Sequence, residues 1–184
     1  HQPIVKKELQ YKPIKANQDE PIRQVTWYAA DAYCRWAGKR LPTEAEHEYA
    51  AGGAQERGYA WGDSGATCAV VNLFSGQSYC HGKVRDVGSY PQGATPEGLM
   101  DMTGNVAEWV SDYYDAYEQN SDSDPTGPKK GDLKVIRGGS FLDAYAWQKT
   151  TARYSAHPKT RSEAVGFRCV YTDDLSDDAK RGSL

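Results

Sequence analysis

The sequence predicts one domain of mixed helices and short strands, with little regular secondary structure and a loop-rich middle. The chain has 184 residues, which suits a single domain with a sizeable buried core. It contains 18 glycines, 13 tyrosines and 5 tryptophans, a mixture typical of irregular backbone held by aromatic packing. Two helix patterns precede residue 54, and two short strand patterns follow residue 134.

The first helix is predicted from Thr26 to Gly38. The Thr26 hydroxyl can cap its N-terminus, and Gly38 is a natural residue just beyond its C-terminus. Apolar residues recur on one face at helical spacing: Trp27, Ala30, Tyr33, Cys34 and Ala37. This face is expected to pack against the core.

The second helix is predicted to begin at Thr43 and to end at the glycine pair 52–53. Thr43 and Glu46 form a capping box, and Pro42 precedes the cap. Three acidic residues lie in its N-terminal half: Glu44, Glu46 and Glu48. Because negative charge is favourable at a helix N-terminus, dipole and surface roles are preferred here over a catalytic cluster.

Three segments are predicted for the whole chain: an extended arm over residues 1–20, the domain over 21–172, and an acidic flexible tail over 173–184. Within the domain, residues 54–100 are rich in turns and residues 118–132 form a polar loop. Val135 and Ile136 indicate a short buried strand, and residues 164–171 a final strand.

Composition excludes several classes of function. The net charge of −3 and the scattered basic residues argue against nucleic-acid binding. Mean hydropathy is −0.78, and no apolar run is long enough to span a membrane. Membrane contact is therefore expected only through an anchor outside this sequence. The chain opens at His1 without a methionine, which a cleaved export signal would explain.

The four cysteines form no CxxC pair and have no histidine cluster beside them, so a zinc site is not expected. Disulfides in an oxidising compartment are the better interpretation. The protein is accordingly predicted to be extracytoplasmic, in the periplasm, associated with the outer membrane, or secreted. Buried or free thiols are the alternative.

Four motifs occur in order along the chain: Arg40–Ala51 (RLPTEAEHEYAA), Gly98–Trp109 (GLMDMTGNVAEW), Ile136–Phe141 (IRGGSF) and Gly166–Cys169 (GFRC). Together they resemble the formylglycine-generating-enzyme, or sulfatase-modifying factor, family over about residues 21–171. The resemblance implies an α+β fold that is a variant of the C-type lectin fold. It also implies strands ahead of Pro21 that are missing here. A complement in the same or another chain is therefore expected.

The resemblance also implies bound calcium. Its first site would use the side chains of Asp101 and Glu108 and the carbonyls of Gly104 and Val106, an oxygen-rich set that suits a hard cation. The alternative is a helix start with Asn105 as cap and Glu108 in the first turn, and the two can coexist. A second site would begin at the pair Asn72 and Leu73, but residues 77–84 do not match its later ligands.

The same resemblance implies a disulfide between Cys34 and Cys169. Cys68 and Cys80 enclose a short loop and can form a second bridge.

The family's oxidase reaction uses a copper(I)-binding cysteine pair between the third and fourth motifs. This interval, residues 141–165, contains no cysteine. Counting back from Gly166 places Tyr145 and Thr150 at the pair, and neither a phenol nor a hydroxyl replaces a thiolate for copper(I). Neither copper nor the formylglycine reaction is therefore expected.

A binding surface around the former active site is predicted instead, formed by aromatic and cationic residues: Tyr145, Trp147, Arg153, Tyr154 and His157. Core packing of Trp147 and Tyr154 is the alternative. The predicted function is a non-catalytic binding or scaffold domain of a cell-envelope assembly with protein partners, as in lipoproteins of secretion or gliding machinery. The alternative is an oxidoreductase whose catalytic residues come from a missing segment or another chain.

Overall fold

The computed structural model describes residues 19–117 and 124–171. Its helices are α1 (Trp27–Trp36) and α2 (Glu44–Gly52), and two short 3-10 turns cover Pro91–Gly93 and Tyr145–Gln148. The strands are β1 (Lys39–Arg40), β2 (Ala107–Tyr113), β3 (Lys134–Arg137), β4 (Arg153–Ala156), β5 (Val165–Phe167) and β6 (Val170–Tyr171). The predictions for residues 1–18, for 118–123 and for the tail at 173–184 lie outside the described residues.

The strands form two sheets. A four-stranded sheet has the order β4-β3-β2-β5, in which β2 pairs antiparallel with β3 and parallel with β5. A second sheet pairs β1 antiparallel with β6, so the two ends of the domain meet there. The predicted α+β fold with little regular secondary structure is confirmed.

Both predicted helix starts are confirmed. The Thr26 hydroxyl accepts a hydrogen bond from the Ala29 N–H at 3.1 Å. The capping box is complete, because Thr43 accepts from the Glu46 N–H and the Glu46 carboxylate accepts from the Thr43 N–H. The inner face of α1 is narrower than predicted, since Tyr33 is mostly exposed there.

The central strand β2 was not predicted, and the alternative of a helix start at Asn105 is wrong. Asn105 adopts a φ of 60°, and its side-chain amide bonds both backbone groups of Arg85 instead of capping a helix. The first four residues of β2, from Ala107 to Val110, are buried on both faces of the sheet. The predicted strand over 164–171 is divided into β5 and β6, which belong to different sheets.

The main core lies between α1 and the larger sheet. Its buried members are Ala30, Cys34, Leu41, Ala107, Trp109 and Ile136. The Trp109 indole N–H donates to the Val25 carbonyl at 3.2 Å, which attaches the segment ahead of α1 to the sheet. This packing places the loop that precedes β2 against the first described residues of the chain.

Two disulfides brace the domain, Cys34–Cys169 and Cys68–Cys80, as predicted. They account for every cysteine, so the alternative of free thiols is wrong. The first joins residues 135 apart in sequence and the second joins residues 12 apart. By the chain-entropy model, the closures contribute about 4–5 and about 3 kcal/mol, respectively.

Candidate functional site

The loop over residues 98–109 makes a sharp turn before it enters β2. Gly104 has a φ of +79°, and its N–H donates to the Gly138 carbonyl at 2.8 Å. A Cβ at this position would lie 2.1 Å from a Val71 methyl carbon. The turn therefore requires glycine, both for its left-handed backbone and for the close approach of its neighbours.

Beside this loop lies an open groove of about 550 Å³, named here the acidic groove. Its walls include three of the four residues predicted to bind the first calcium ion, Asp101, Val106 and Glu108. Glu20 and Arg168 line it as well. The fold therefore brings most of the predicted ligand set to one cavity.

Glu108 is buried and faces two basic groups. The Arg168 guanidinium donates to both of its carboxylate oxygens, at 2.6 and 2.8 Å. Burial alone would raise the pKa of Glu108, but the charge of Arg168 and the nearby His47 outweigh it and lower that pKa to about 2. Glu108 is therefore a permanent anion near neutral pH.

His47 lies on α2, and its ring is buried against the same carboxylate. Its Nε2 is 3.3 Å from a Glu108 oxygen, without the alignment of a hydrogen bond, and neither ring nitrogen has a hydrogen-bond partner within the described residues. Burial lowers the pKa of His47 despite the attraction of Glu108. The ring is thus neutral near pH 7.

Asp101 supplies a second carboxylate to the groove. It accepts the Gly88 N–H at 2.7 Å, and burial raises its pKa, with a further contribution from Glu108. No ion pair to Asp101 is present in the described part of the chain. Arg168 donates to the carboxylate of Glu108 but only to the backbone carbonyl of Asp101, so two carboxylates lie beside one guanidinium and leave an excess of negative charge.

This donor set fits calcium in its chemistry, because its oxygens are hard ligands and its charge is uncompensated. Across residues 19–117 and 124–171, no three His, Cys, Asp or Glu side chains are grouped to hold a metal. Binding would therefore depend on the carbonyls of Gly104 and Val106 as well as on Asp101 and Glu108. The first calcium site stays a prediction.

The second predicted site begins at buried residues. The Asn72 amide nitrogen donates to the Lys83 carbonyl at 2.8 Å and to Asn105 Oδ1 at 3.2 Å, whereas its own Oδ1 has no hydrogen-bond partner among the described residues. The Leu73 carbonyl accepts the Cys80 N–H at 2.9 Å. An unpaired buried oxygen suits a cation ligand, but this site also stays a prediction.

A second group of charges, named here the helix–sheet ion cluster, joins α2 to β3 and β4. Its members are Glu44, Glu48, Tyr117, Arg137 and Arg153. Glu44 accepts from Arg137 at 3.2 Å, from Arg153 at 2.7 Å and from the Tyr117 hydroxyl at 3.0 Å. Arg137 is fully buried and also bonds Glu48.

The surface role expected for the glutamates of α2 is therefore wrong for Glu44, which is buried and paired twice. Burial, together with the Glu44 charge, raises the pKa of Tyr117 to about 12. Glu44 and Glu48 lie four residues apart, so they share one face of α2. That spacing, together with the arginine at the second position of the third motif, was the available signal for this cluster.

The predicted binding surface is divided in the structure. Trp147 packs on Tyr154 with ring centroids 4.8 Å apart, and Tyr145 is exposed nearby in the same 3-10 turn as Trp147. We name these three residues the aromatic patch. Trp147 is 48% exposed, so it is not a core residue, whereas Tyr154 is half-buried.

The two remaining residues of that prediction lie elsewhere. Arg153 stacks on Tyr114 and Tyr117, at 4.6 and 4.1 Å from the ring centroids, and belongs to the helix–sheet ion cluster. His157 is exposed and accepts the Lys159 N–H at 3.2 Å. Because alternate residues of a strand face opposite sides, Arg153 and Tyr154 point away from each other.

Tyr145 and Thr150, which sequence counting placed at the cysteine pair, have unlike environments. Tyr145 is exposed, whereas Thr150 is buried and its hydroxyl donates to the Arg57 carbonyl at 2.6 Å. A hydroxyl committed to a backbone carbonyl does not act as a soft-metal ligand.

Comparison with known proteins identifies relatives over most of the chain. The model of the "Sulfatase-modifying factor enzyme 1-like domain" matches residues 4–173. A formylglycine-generating enzyme of Streptomyces coelicolor is 41% identical over an alignment 179 residues long, which covers 89% of this chain and 56% of that protein. The inactive C-alpha-formylglycine-generating enzyme 2 of Bos taurus is 36% identical over an alignment 169 residues long, which covers 85% of this chain and 52% of that protein.

The chain thus spans about half the length of these two curated relatives. Among solved structures, Treponema denticola variable protein 1 superposes with a TM-score of 0.74, at 23% identity, over 88% of this chain and 75% of that chain. This likeness shows the fold alone. No helix in the described ranges has the length and apolar character needed to cross a membrane.

Proposed function

The chain belongs to the sulfatase-modifying factor enzyme 1-like family, and we propose that it is a non-catalytic, calcium-stabilised binding domain of that family. Membership gives the fold, whereas function depends on the residues at the site. One observation carries the proposal: all four cysteines are closed in the two disulfides, and none lies between residues 141 and 165. The chain therefore offers no thiol to a substrate cysteine.

Copper(I) does not fit the residues present. A soft cation needs thiolate or thioether ligands, and the positions considered carry the oxygens of Tyr145 and Thr150. We therefore derive no step through copper. The relative from Bos taurus supports this proposal, because its name describes an inactive protein with the same domain.

The aromatic patch is the proposed contact surface for a protein partner. Exposed tryptophan and tyrosine are favoured anchors of protein interfaces. Leu142, which is also exposed, adds apolar area near Tyr145 in the chain. A Trp147 ring held against Tyr154 is pre-oriented, so little side-chain entropy would be lost on binding.

A second groove, which is apolar and has a volume of about 570 Å³, lies between α1 and β5. Its lining includes Ile22, Val25, Tyr33 and Phe167. We propose that an N-terminal complement of the fold, in the same or another chain, covers this groove. Its exposed apolar side chains support that proposal, because soluble proteins rarely leave large apolar patches uncovered.

The two disulfides support an extracytoplasmic location, in the periplasm, at the outer membrane or outside the cell. The relatives described above do not bear on secretion or gliding machinery. Participation in such an assembly therefore stays a prediction.

The second candidate function is formylglycine generation with catalytic groups supplied by another segment or chain. The 41% identity to an enzyme named for this reaction favours it. To decide, the full-length native protein is incubated with copper(I) and a cysteine-containing sulfatase peptide, with the Streptomyces coelicolor enzyme as positive control. We expect no peptide mass change. Conversion to formylglycine would instead establish the second function.

The binding role is tested by replacing Trp147 with alanine and measuring recovery of cross-linked partners from native cells. The matched control is Trp36→Ala, because Trp36 is an even more exposed tryptophan on α1. Truncating an interface anchor costs about 2 kcal/mol or more, so partner recovery should fall at least about 30-fold for Trp147→Ala only. Equal partner recovery from the two variants would exclude the aromatic patch as the contact surface.

A further inference from the structure

We propose that Arg168 is a positioning residue for the cation site of the acidic groove, a clamp that holds the two ends of its ligand loop together. The inference rests on the calcium site of the proposed function. Arg168 follows β5, and its guanidinium donates to four acceptors. Two are the oxygens of Glu108, at 2.6 and 2.8 Å, and two are the carbonyls of Met100 and Asp101, at 3.2 and 2.9 Å.

These contacts connect both ends of the ligand loop. Asp101 lies near its start, and Glu108 lies in β2 at its end. Their carboxylates carry charge of the same sign and line the same groove, so they repel each other. A guanidinium between the Asp101 carbonyl and the Glu108 carboxylate keeps the loop closed against that repulsion. It therefore assembles the predicted ligands before a cation arrives.

The charge of Arg168 does not cancel the attraction for a divalent cation. Asp101 and Glu108 bring two carboxylates to the groove against the one guanidinium of Arg168. A carboxylate offers about four lone-pair positions, so the fork of Arg168 leaves positions free on Glu108. The geometric effect therefore outweighs the added repulsion.

The fork shape of the guanidinium is essential to this role. Nε and one terminal nitrogen bind the two Glu108 oxygens, and that terminal nitrogen also reaches the two loop carbonyls. A lysine ammonium is a compact charge that cannot span this arrangement. Arg168→Lys should therefore lose the positioning effect while it keeps the charge.

The experiment measures the calcium Kd by calorimetry for the wild type, Arg168→Met and Arg168→Lys, at a temperature where each is folded. The control is Arg161→Met, since Arg161 is an exposed arginine that donates to the Gln24 carbonyl. Loss of a residue that orients a metal ligand costs about 10–100-fold in affinity. We expect that loss in both Arg168 variants and an unchanged Kd in the control.

The outcomes separate the inference from the proposal beneath it. If the wild type binds calcium and either folded Arg168 variant binds it as tightly or more tightly, Arg168 is structural or competitive and the inference is wrong. A structural role alone would lower the melting temperature of both variants and leave Kd unchanged. If the wild type binds no calcium, the calcium site itself fails, and the inference with it. Should Arg168→Met not fold, Arg168→Lys decides.

Discussion

The helix–sheet ion cluster and the acidic groove both include charged residues of the larger sheet, but they balance their charges differently. In the cluster, two glutamates face two arginines, and Arg137 and Glu44 are sealed from solvent. In the groove, Arg168 pairs with the carboxylate of Glu108 but reaches only the backbone carbonyl of Asp101, beside an open cavity. A buried network whose charges are paired holds two elements together. A group with excess negative charge beside a cavity can still bind a cationic ligand.

The largest expected effect is the removal of Arg137 from the sealed cluster. Among the residues that the structure describes, Arg137→Met leaves Glu44 paired with Arg153 alone, in a buried site. Breaking a buried ion pair by removing one partner costs about 3–5 kcal/mol, which urea unfolding would measure. Arg35→Met is the control, because Arg35 pairs with Asp31 on the surface and should cost under about 1 kcal/mol. Similar decreases in the free energy of unfolding for both variants would show that burial does not determine the strength of these ion pairs.

Next in size is the calcium response of the groove. At a calcium concentration of about 100 times Kd, binding would stabilise the wild type by about 2.7 kcal/mol relative to chelator. Glu108→Ala should abolish this increment and lower the melting temperature in chelator as well, because it leaves Arg168 without its carboxylate. Identical wild-type melting curves in calcium and in chelator would contradict the calcium prediction.

A smaller effect is expected from pH in the presence of chelator. The pKa of His47 is lowered in the folded protein, so the unfolded chain binds a proton first as the pH falls below about 6.5. The free energy of unfolding should therefore decrease below that pH, by at most about 1.4 kcal/mol per pH unit for this one group.

His47→Gln should remove this slope between pH 6.5 and 5, as measured by urea unfolding across the range. A further decrease in the free energy of unfolding is expected below about pH 4.5, where Glu108 is protonated in the unfolded chain but still charged in the folded protein. This decrease should remain in His47→Gln, because Arg168 is the main cause of the low Glu108 pKa of about 2. A slope that survives in His47→Gln would assign the titration to another group.

Local signals explain which parts of the fold could be predicted from sequence. The capping box at Thr43 and the Thr26 cap involve residues only three apart, so both helix starts were found. Strand β2 was missed because its first four residues are buried on both faces, which removes the alternation typical of a half-exposed strand.

The same reasoning separates the predicted from the unpredicted parts of the site. Asp101, Val106 and Glu108 belong to one motif, so a single loop was enough to place them together. Glu44 meets Arg137 and Arg153 across 93 and 109 residues, and Arg168 meets Glu108 across 60. Periodicity within one segment does not indicate pairs so far apart in sequence. The helix–sheet ion cluster and the contacts of Arg168 could therefore be identified only in the folded structure.

The smallest expected effect tests exposure within the sealed cluster itself. Glu44 and Glu48 both pair with Arg137, but the Glu48 side chain is 41% exposed and that of Glu44 is 8% exposed. Solvent screens the Glu48 pair, so Glu48→Gln should cost under about 1 kcal/mol. Glu44→Gln should cost several-fold more, because it leaves two arginines short of a buried anion. Urea unfolding of the two variants measures the difference, and equal losses would mean that the partner, rather than the burial, decides the strength of each pair.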